Sequence, residues 1–269
     1  MFCGFMCKYF LKINLLFNKT LGNLVLMNWN KLCLLPLILL SNLYVTAQGL
    51  DTEKQYNWFD NTIGVENTGL YNGVAYIDIE KAKGTFKKFL YHNGFQSGSI
   101  DYDGQTYYDI TLKYDVFNDK VILQLIGENG TTILQPFKEL INSFSIKNRT
   151  FKNIVNKTTE NGDAFSGFYE EILETSQLAV LKKHRKKRLK RIRRKKLSYQ
   201  YKPIKSYYFL LYQGNYYSVK NKRDFIKLFP DFKEEINSIG IDGSVQRDNP
   251  DAVILAYAKQ INTLLSKKQ

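Results

Sequence analysis

The sequence predicts an α+β protein, built mainly from antiparallel β hairpins and meanders with short helices at its C-terminal end. The chain holds 19 Tyr and 18 Phe, and these residues, with Ile, Val and Thr, fall in short alternating runs that favour strands. Turn signals rich in Gly, Asn and Asp separate the runs. Helix signals, such as the capping residue Asn221, follow the strand-like part. Strands first and helices last is an order typical of α+β folds.

Three copies of the pattern Y-x-G-x-x-Y supply the most specific turn signals. They span Tyr71–Tyr76, Tyr102–Tyr107 and Tyr212–Tyr217. Asn72-Gly73 and Asp103-Gly104 favour two-residue hairpin turns, because both central positions need a positive φ. We interpret the flanking tyrosines as cross-strand packing pairs rather than as a binding signature.

The alternating runs predict the individual strands. Residues 99–155 predict a meander with a helical turn at 137–142, after Pro136, and its strands lie near 99–102, 105–117, 120–126, 131–135, 143–147 and 150–155. Residues 156–166 are polar and are predicted to form a loop. Two further hairpins are predicted, from Gly167–Glu174 with Gln177–His184 and from Tyr207–Leu211 with Tyr216–Val219.

The C-terminal part, residues 221–265, is predicted to be helical. Asn221 is placed to cap a helix at 222–229 that Pro230 ends. A second helix is predicted at 231–239, stopped by Gly240, and a third begins at Pro250.

The N-terminal region indicates export. Residues 27–47 have the layout of a secretory signal peptide, with Lys31, an apolar core at Leu32–Leu40 and a small-residue ending at Ala47. That core has about half of the ~18 apolar residues that a membrane-crossing helix needs. Residues 1–26 are then an upstream extension that is absent from the mature protein, and residues 48–269 form a single β-rich domain. The alternative is one long, uncleaved, membrane-associated leader.

The residue inventory argues against several kinds of chemistry. All three cysteines, Cys3, Cys7 and Cys33, precede residue 48, so the mature chain has no disulfide, thiolate nucleophile or cysteine-based metal site. The two histidines, His92 and His184, lack the spacing of a zinc site. No hydrolase elbow or phosphate-binding glycine loop is present. We therefore predict no catalytic residue, cofactor or metal.

The formal charge of +14 is concentrated in one strip. Residues 182–196 hold twelve Lys or Arg and no acid, and residues 1–47 hold four lysines and no acid, so the rest of the chain stands at −2. The cations of the strip are the candidate anion-contacting residues, namely Lys182, Lys183, Arg185, Lys186, Lys187, Arg188, Lys190, Arg191, Arg193, Arg194, Lys195 and Lys196.

Three interpretations of this strip remain open. It is a solvated extension of the strand from Gln177, or the loop after it, with no specific role. It contacts an anionic surface such as phospholipid headgroups or lipopolysaccharide phosphates. It binds nucleic acid, an interpretation that the signal peptide disfavours. With Leu189 and Ile192 as its only large apolar residues, the strip does not predict an amphipathic membrane helix.

Three segments resemble a group of β-rich exported proteins of Gram-negative bacterial envelopes. They are Gly98–Leu123 (GSIDYDGQTYYDITLKYDVFNDKVIL), Gly167–Leu173 (GFYEEIL), which a basic stretch follows, and Tyr207–Ile236 (YYFLLYQGNYYSVKNKRDFIKLFPDFKEEI). The resemblance covers most of residues 60–265. It implies an envelope location and one structural unit, and no activity or site residue.

Together these features predict an exported, non-enzymatic envelope protein with a structural or binding role. We expect a periplasmic or peripherally envelope-associated location ahead of a secreted one. The expected partners are anionic lipid, lipopolysaccharide or another envelope protein, with nucleic acid ranked last, and the sequence predicts no oligomeric state. The alternatives are an enzyme that acts on glycans through two carboxylates, or a nucleic-acid binder if the chain is not exported.

Overall fold

The structure, a computed structural model, describes residues 52–80, 82, 87–91, 94–128, 130–241, 243 and 248–268. The predicted extension at 1–26 and signal peptide at 27–47 lie outside the described residues, as does His92. Within residues 52–269, the chain forms one compact unit. The boundary between residues 47 and 48 stays a prediction.

In the part of the chain that the structure describes, eleven strands form one sheet, in which every neighbouring pair is antiparallel. In chain order they are β1 (Gly73–Ala75), β2 (Gln96–Tyr102), β3 (Gln105–Asp115), β4 (Lys120–Gly127), β5 (Gly130–Pro136), β6 (Ile141–Ile146), β7 (Arg149–Thr158), β8 (Ala164–Glu174), β9 (Leu178–Arg193), β10 (Lys196–Tyr212) and β11 (Asn215–Val219). Their order in the sheet is β1-β5-β4-β3-β2-β6-β7-β8-β9-β10-β11. The prediction of a mainly antiparallel, hairpin-built fold is confirmed.

Within the described residues, four α-helices accompany the sheet: α1 (Thr52–Ile63), α2 (Lys222–Leu228), α3 (Lys233–Ser238) and α4 (Pro250–Lys268). Asn221 caps α2, as the sequence predicted. Asp224 completes a reciprocal capping box with it, a contact that was not predicted from the sequence. The helical turn predicted after Pro136 is a 3-10 turn at Lys138–Leu140. The last helix has 19 residues and is longer than the short helices that were expected.

Two of the three glycine turns are hairpins and one is not. Asp103-Gly104 and Gln213-Gly214 have positive φ at both positions and join adjacent strands. The hairpin predicted at Asn72-Gly73 is wrong, because Gly73 begins β1 and this strand pairs with β5 far along the chain. The loop predicted at 156–166 is also shorter than expected, since β7 runs to Thr158 and β8 begins at Ala164.

The sheet is strongly curved around an aromatic core. Tyr114 on β3 and Phe168 on β8 are four strand positions apart, which would separate them by about 19 Å in a flat sheet. Their ring centroids are 5.9 Å apart, and Phe144 and Phe151 stack beside them at 4.8 Å. All four side chains are almost fully buried. The concave face of the sheet therefore encloses the larger core.

A second core fixes the other end of the sheet. Val180 on β9 and Leu210 on β10 pack with Phe225 of α2 and Ile254 of α4, and all four are almost fully buried. Because burial of each such side chain contributes about 1.5–3 kcal/mol, the base of the β9–β10 hairpin is held firmly.

Candidate functional site

The β9–β10 hairpin is much longer than its neighbours. Its strands have 16 and 17 residues, whereas strands usually have about 3–10. β8 pairs with β9 only between Ala179 and Lys182, and β11 pairs with β10 only between Tyr208 and Tyr212. Residues 183–207 therefore extend as a two-stranded ribbon, which we call the basic arm. At about 3.3 Å per residue, all of β9 spans about 50 Å.

The arm corrects the predicted end of the strand that starts near Gln177. It also confirms in part the first interpretation of the strip, in which the strip extends that strand. The strand was predicted to end at His184, but it continues to Arg193. Lys and Arg have weak strand preference, so the strip carries no alternating signal of its own. The partner strand does, since Leu197, Tyr199 and Tyr201 alternate with polar residues. That alternation, next to the strip, was the signal that the prediction missed.

A two-residue turn closes the arm. Arg194 and Lys195 have φ values of 49° and 59°, and Arg193 pairs with Lys196 across the turn. Positive φ at both positions is the geometry that usually selects Asn-Gly. Here two cations occupy it, which places charge at the far end of the arm.

Lys182, the first cation of the strip, is not solvated. Its side chain is almost buried, and its Nζ donates a hydrogen bond to Asp251 at the start of α4. The Tyr208 hydroxyl donates to the same carboxylate. Burial alone would raise the pKa of Asp251, but the hydrogen bonds from Lys182 and Tyr208 outweigh it and hold the pKa below its usual value. Lys182 thus anchors the last helix.

Lys183 belongs to a buried network around Asp119, in the β3–β4 turn. Its Nζ lies 2.7 Å from Asp119 Oδ1, and Lys138 Nζ lies 2.6 Å from Oδ2. The Tyr114 hydroxyl donates to the same carboxylate at 2.6 Å. Burial lowers the pKa of Lys183, against the attraction of Asp119. The pKa of Asp119 is itself below its usual value, because its three partners outweigh burial.

His184, inside the strip, pairs with a glutamate of the neighbouring strand. Its Nε2 is hydrogen-bonded to Glu170, which also lies 3.4 Å from Arg149. Burial lowers the pKa of His184, and the nearby charge of Lys182 acts in the same direction. The imidazole is therefore neutral near pH 7 and donates to the carboxylate.

Lys186 and Arg188 hold the segment that precedes β2. Lys186 Nζ donates to the backbone carbonyl oxygens of Lys87 and Phe89. Arg188 lies 2.6 Å from Glu80, which also accepts a hydrogen bond from the Tyr201 hydroxyl. These contacts fasten the lower half of the arm to the body.

Arg185 differs from these cations because its side chain stacks on an aromatic ring and does not pair with an acid. Its guanidinium carbon lies 3.9 Å from the centroid of the Tyr207 ring, and it donates to the Lys205 carbonyl at 3.2 Å. The contact is a cation–π stack within the arm. The stack lies beside the bulge between Ile204 and Tyr207, which interrupts the pairing of β9 with β10.

The cations farther out are exposed. Arg191 donates from Nε to Gln200 at 3.3 Å. The side chains of five others make no hydrogen bond or ion pair within the part of the chain that the structure describes, namely Lys187, Lys190, Arg194, Lys195 and Lys196. Arg193 ends β9, and its side chain lies outside the described residues. The strip therefore divides into cations whose side chains have partners, mostly nearer the body, and cations without them, which all lie beyond Arg188 except Lys187.

The structure also shows where carboxylates come together. A cleft of about 230 Å³ beneath α1 is lined by Asp60 and Asp109. Asp60 accepts a hydrogen bond from Gln105 and Asp109 from Asn57. Burial raises the pKa of Asp60. The two carboxylates are each tied to an amide, and no further group in this cleft identifies them as an acid and base pair.

Two more observations concern ligands and membranes. In the described ranges, no group of three or more His, Cys, Asp or Glu is arranged to hold a metal ion. Among those same residues, no helix combines the length and apolarity needed to cross a bilayer.

Comparison with known proteins adds no relative. No family model matches the chain, and no curated protein or solved structure is significantly similar to it. The resemblance to exported envelope proteins therefore stays an expectation from the sequence.

Proposed function

We propose that this protein is an exported, non-enzymatic envelope protein that binds an anionic envelope surface through the outer part of its basic arm. The observation that carries the proposal is the set of five exposed cations without a side-chain partner in the described chain, on the part of the β9–β10 hairpin that extends past its pairing with β8 and β11. A folded β ribbon presents these charges in a defined array, so less conformational entropy is lost on binding than for a flexible tail.

The inner cations do not contribute to this surface. Asp251, Asp119 and Glu80 already neutralise Lys182, Lys183 and Arg188. Each free cation near an anionic bilayer contributes about 1 kcal/mol. Five of them give about 5 kcal/mol at low ionic strength, which is enough for salt-sensitive attachment.

Two other roles are compatible with the same arm. Its unpaired strand edges are open to pairing with another chain, and exposed Lys and Arg protect such edges from aggregation. A two-stranded ribbon also has a shape that fits the major groove of duplex DNA. The ribbon form is the one structural observation that favours a nucleic-acid binder.

Co-sedimentation of the full chain with vesicles tests the proposal. Phosphatidylglycerol vesicles are compared with phosphatidylcholine vesicles at about 50 and about 500 mM NaCl, which changes the screening length about threefold. The test variant is K187Q/K190Q/R194Q/K195Q. The matched control, K227Q/K233Q/K259Q/K267Q, removes four exposed cations from the helical part. All three proteins share residues 1–51, so that region contributes equally.

We expect the wild type and the control to bind anionic vesicles at low salt, and the arm variant to bind at least about tenfold more weakly, since each cation near the surface adds ~1 kcal/mol. Equal loss in both variants would show a general charge effect and contradict the proposal. An arm variant that binds normally but aggregates would support edge protection instead. Tighter binding to duplex DNA than to vesicles at the same salt would favour the nucleic-acid role.

Export is tested separately. Residues 1–47 fused to a reporter should direct it out of the cytoplasm, and mass spectrometry of the mature protein should find Gln48 at its N-terminus. A mature protein that retains residues before Gln48 would contradict the cleavage site.

A further inference from the structure

The outer end of the basic arm carries an exposed apolar pair. Ile192 and Leu197 lie directly opposite each other in the β9–β10 register, one pair before the turn. Because directly paired residues of antiparallel strands project from the same face, the two side chains are neighbours. Ile192 is 69% exposed and Leu197 is 44% exposed.

The pair sits among the free cations. On the same face, Lys190 is the next residue along β9, two positions away, and the turn cations Arg194 and Lys195 lie beyond the pair. An apolar tip ringed by cations is the arrangement of elements that lie in a membrane interface. A soluble polyanion offers phosphates but no acyl chains, and protection of strand edges needs only the charges.

The reach of the arm fits this arrangement. The outermost β-bridge between the arm and the rest of the described chain joins Ala82 to Tyr199, which is opposite Lys190. Ser198, one position farther out, is still buried. Three residue pairs lie beyond it, about 10 Å of ribbon. The apolar faces of interfacial amphipathic helices are buried about 5–10 Å into the boundary between headgroups and acyl chains.

We propose that the arm inserts Ile192 and Leu197 into the acyl boundary of an anionic lipid bilayer while the surrounding cations contact the headgroup phosphates. This inference rests on the proposed function and names its surface as lipid. The charges bring the arm to the membrane, and the apolar pair holds the tip in it.

The variant I192T/L197T tests the insertion. Threonine keeps the branched Cβ that favours strands and removes most of the apolar surface. The matched control is I126T/V155T, which changes two exposed apolar residues of β4 and β7. The full-length proteins are compared on phosphatidylglycerol vesicles and on soluble inorganic polyphosphate.

We expect I192T/L197T to bind the vesicles about tenfold more weakly than the wild type, because the threonines bury less apolar area in the lipid. Its binding to polyphosphate should be unchanged, and the control should match the wild type on both. The variant W29F/W58F/I192W replaces both tryptophans of the chain and places a single one at position 192. Its emission should shift to shorter wavelength on anionic vesicles and be quenched by brominated lipid.

The results separate the two proposals. A wild type that does not bind anionic vesicles overturns the proposed function itself. If the wild type binds but I192T/L197T binds equally well, or if residue 192 shows no quenching, only the insertion is overturned. An equal loss on polyphosphate and vesicles also contradicts insertion, because it would show a disturbed arm rather than a lost lipid contact.

Discussion

At the scale of single residues, the most consequential position is Asp119. One carboxylate in the β3–β4 turn accepts hydrogen bonds from Lys183, Lys138 and Tyr114, and it lies against the backbone of Phe168. It therefore joins the turn to β8, β9 and the segment before β6. Removing one partner of a buried charge pair leaves the others without compensation, and that cost exceeds the net value of the pair.

We expect D119N to lower the free energy of unfolding by about 3 kcal/mol, because Lys183 keeps its buried charge without a carboxylate. Denaturant unfolding measures the change. The control is D231N, which removes the exposed partner of Lys268 and should change stability by less than about 0.5 kcal/mol. Similar values for D119N and D231N would contradict a structural role for the inner cations.

His184 makes the stability depend on pH. Burial holds its pKa in the folded protein below the usual 6.5. The unfolded chain therefore binds a proton that the folded chain does not, and the stabilisation present above pH 6.5 is lost as the pH falls through the folded pKa. The carboxylates Asp119 and Asp251 act in the same direction, but only at lower pH, where their unfolded forms titrate.

The free energy of unfolding should accordingly decrease between pH 7.5 and pH 5.5. The variant H184N should lose most of this decrease. A pH dependence that survives in H184N would place the titrating group elsewhere.

At the scale of elements, the arm explains what sequence patterns could and could not predict. The strand β3, with its alternating aromatic residues, was predicted within about two residues, because burial of one face sets such a period. The strand at 185–193 was not, since its side chains are mostly cations that contact polar or aromatic partners or solvent rather than a core. Nor could the sequence divide the twelve cations, because Glu80, Asp119 and Asp251 reach them from distant parts of the chain.

The same division predicts which part of the arm is dispensable for folding. Replacing residues 190–199 by Asn-Gly would join the paired residues Leu189 and Gln200 through a favoured two-residue turn. Every ion pair of the inner arm is kept, but the Ala82–Tyr199 bridge and the contact of Arg188 with the Tyr199 ring are lost, so we expect the free energy of unfolding to fall by about 1 kcal/mol. Deleting the whole strip, 182–196, should instead prevent folding, since it removes most of β9 and takes one ion-pair partner each from Asp251, Asp119 and Glu80. Thermal and denaturant unfolding of both variants would show the difference.

At the scale of the whole molecule, charge and shape act together. The charges in the sequence describe a nearly neutral body with one polycationic strip. In the fold, acids neutralise Lys182, Lys183 and Arg188, and the end of the strip extends past the neighbouring strands. The body supplies the support, through two cores and the ion pairs at the base of the arm. The outer arm supplies the surface that we propose binds anionic lipid.

The shortened-arm protein tests this account most directly. Full-length wild type and the variant with 190–199 replaced by Asn-Gly are titrated with phosphatidylglycerol vesicles at low salt, after both are shown to unfold with similar free energies. We predict that the wild type binds and that the shortened protein binds no better than either protein binds phosphatidylcholine. A folded, shortened protein that binds anionic vesicles as tightly as the wild type would contradict the assignment of the arm as the binding surface.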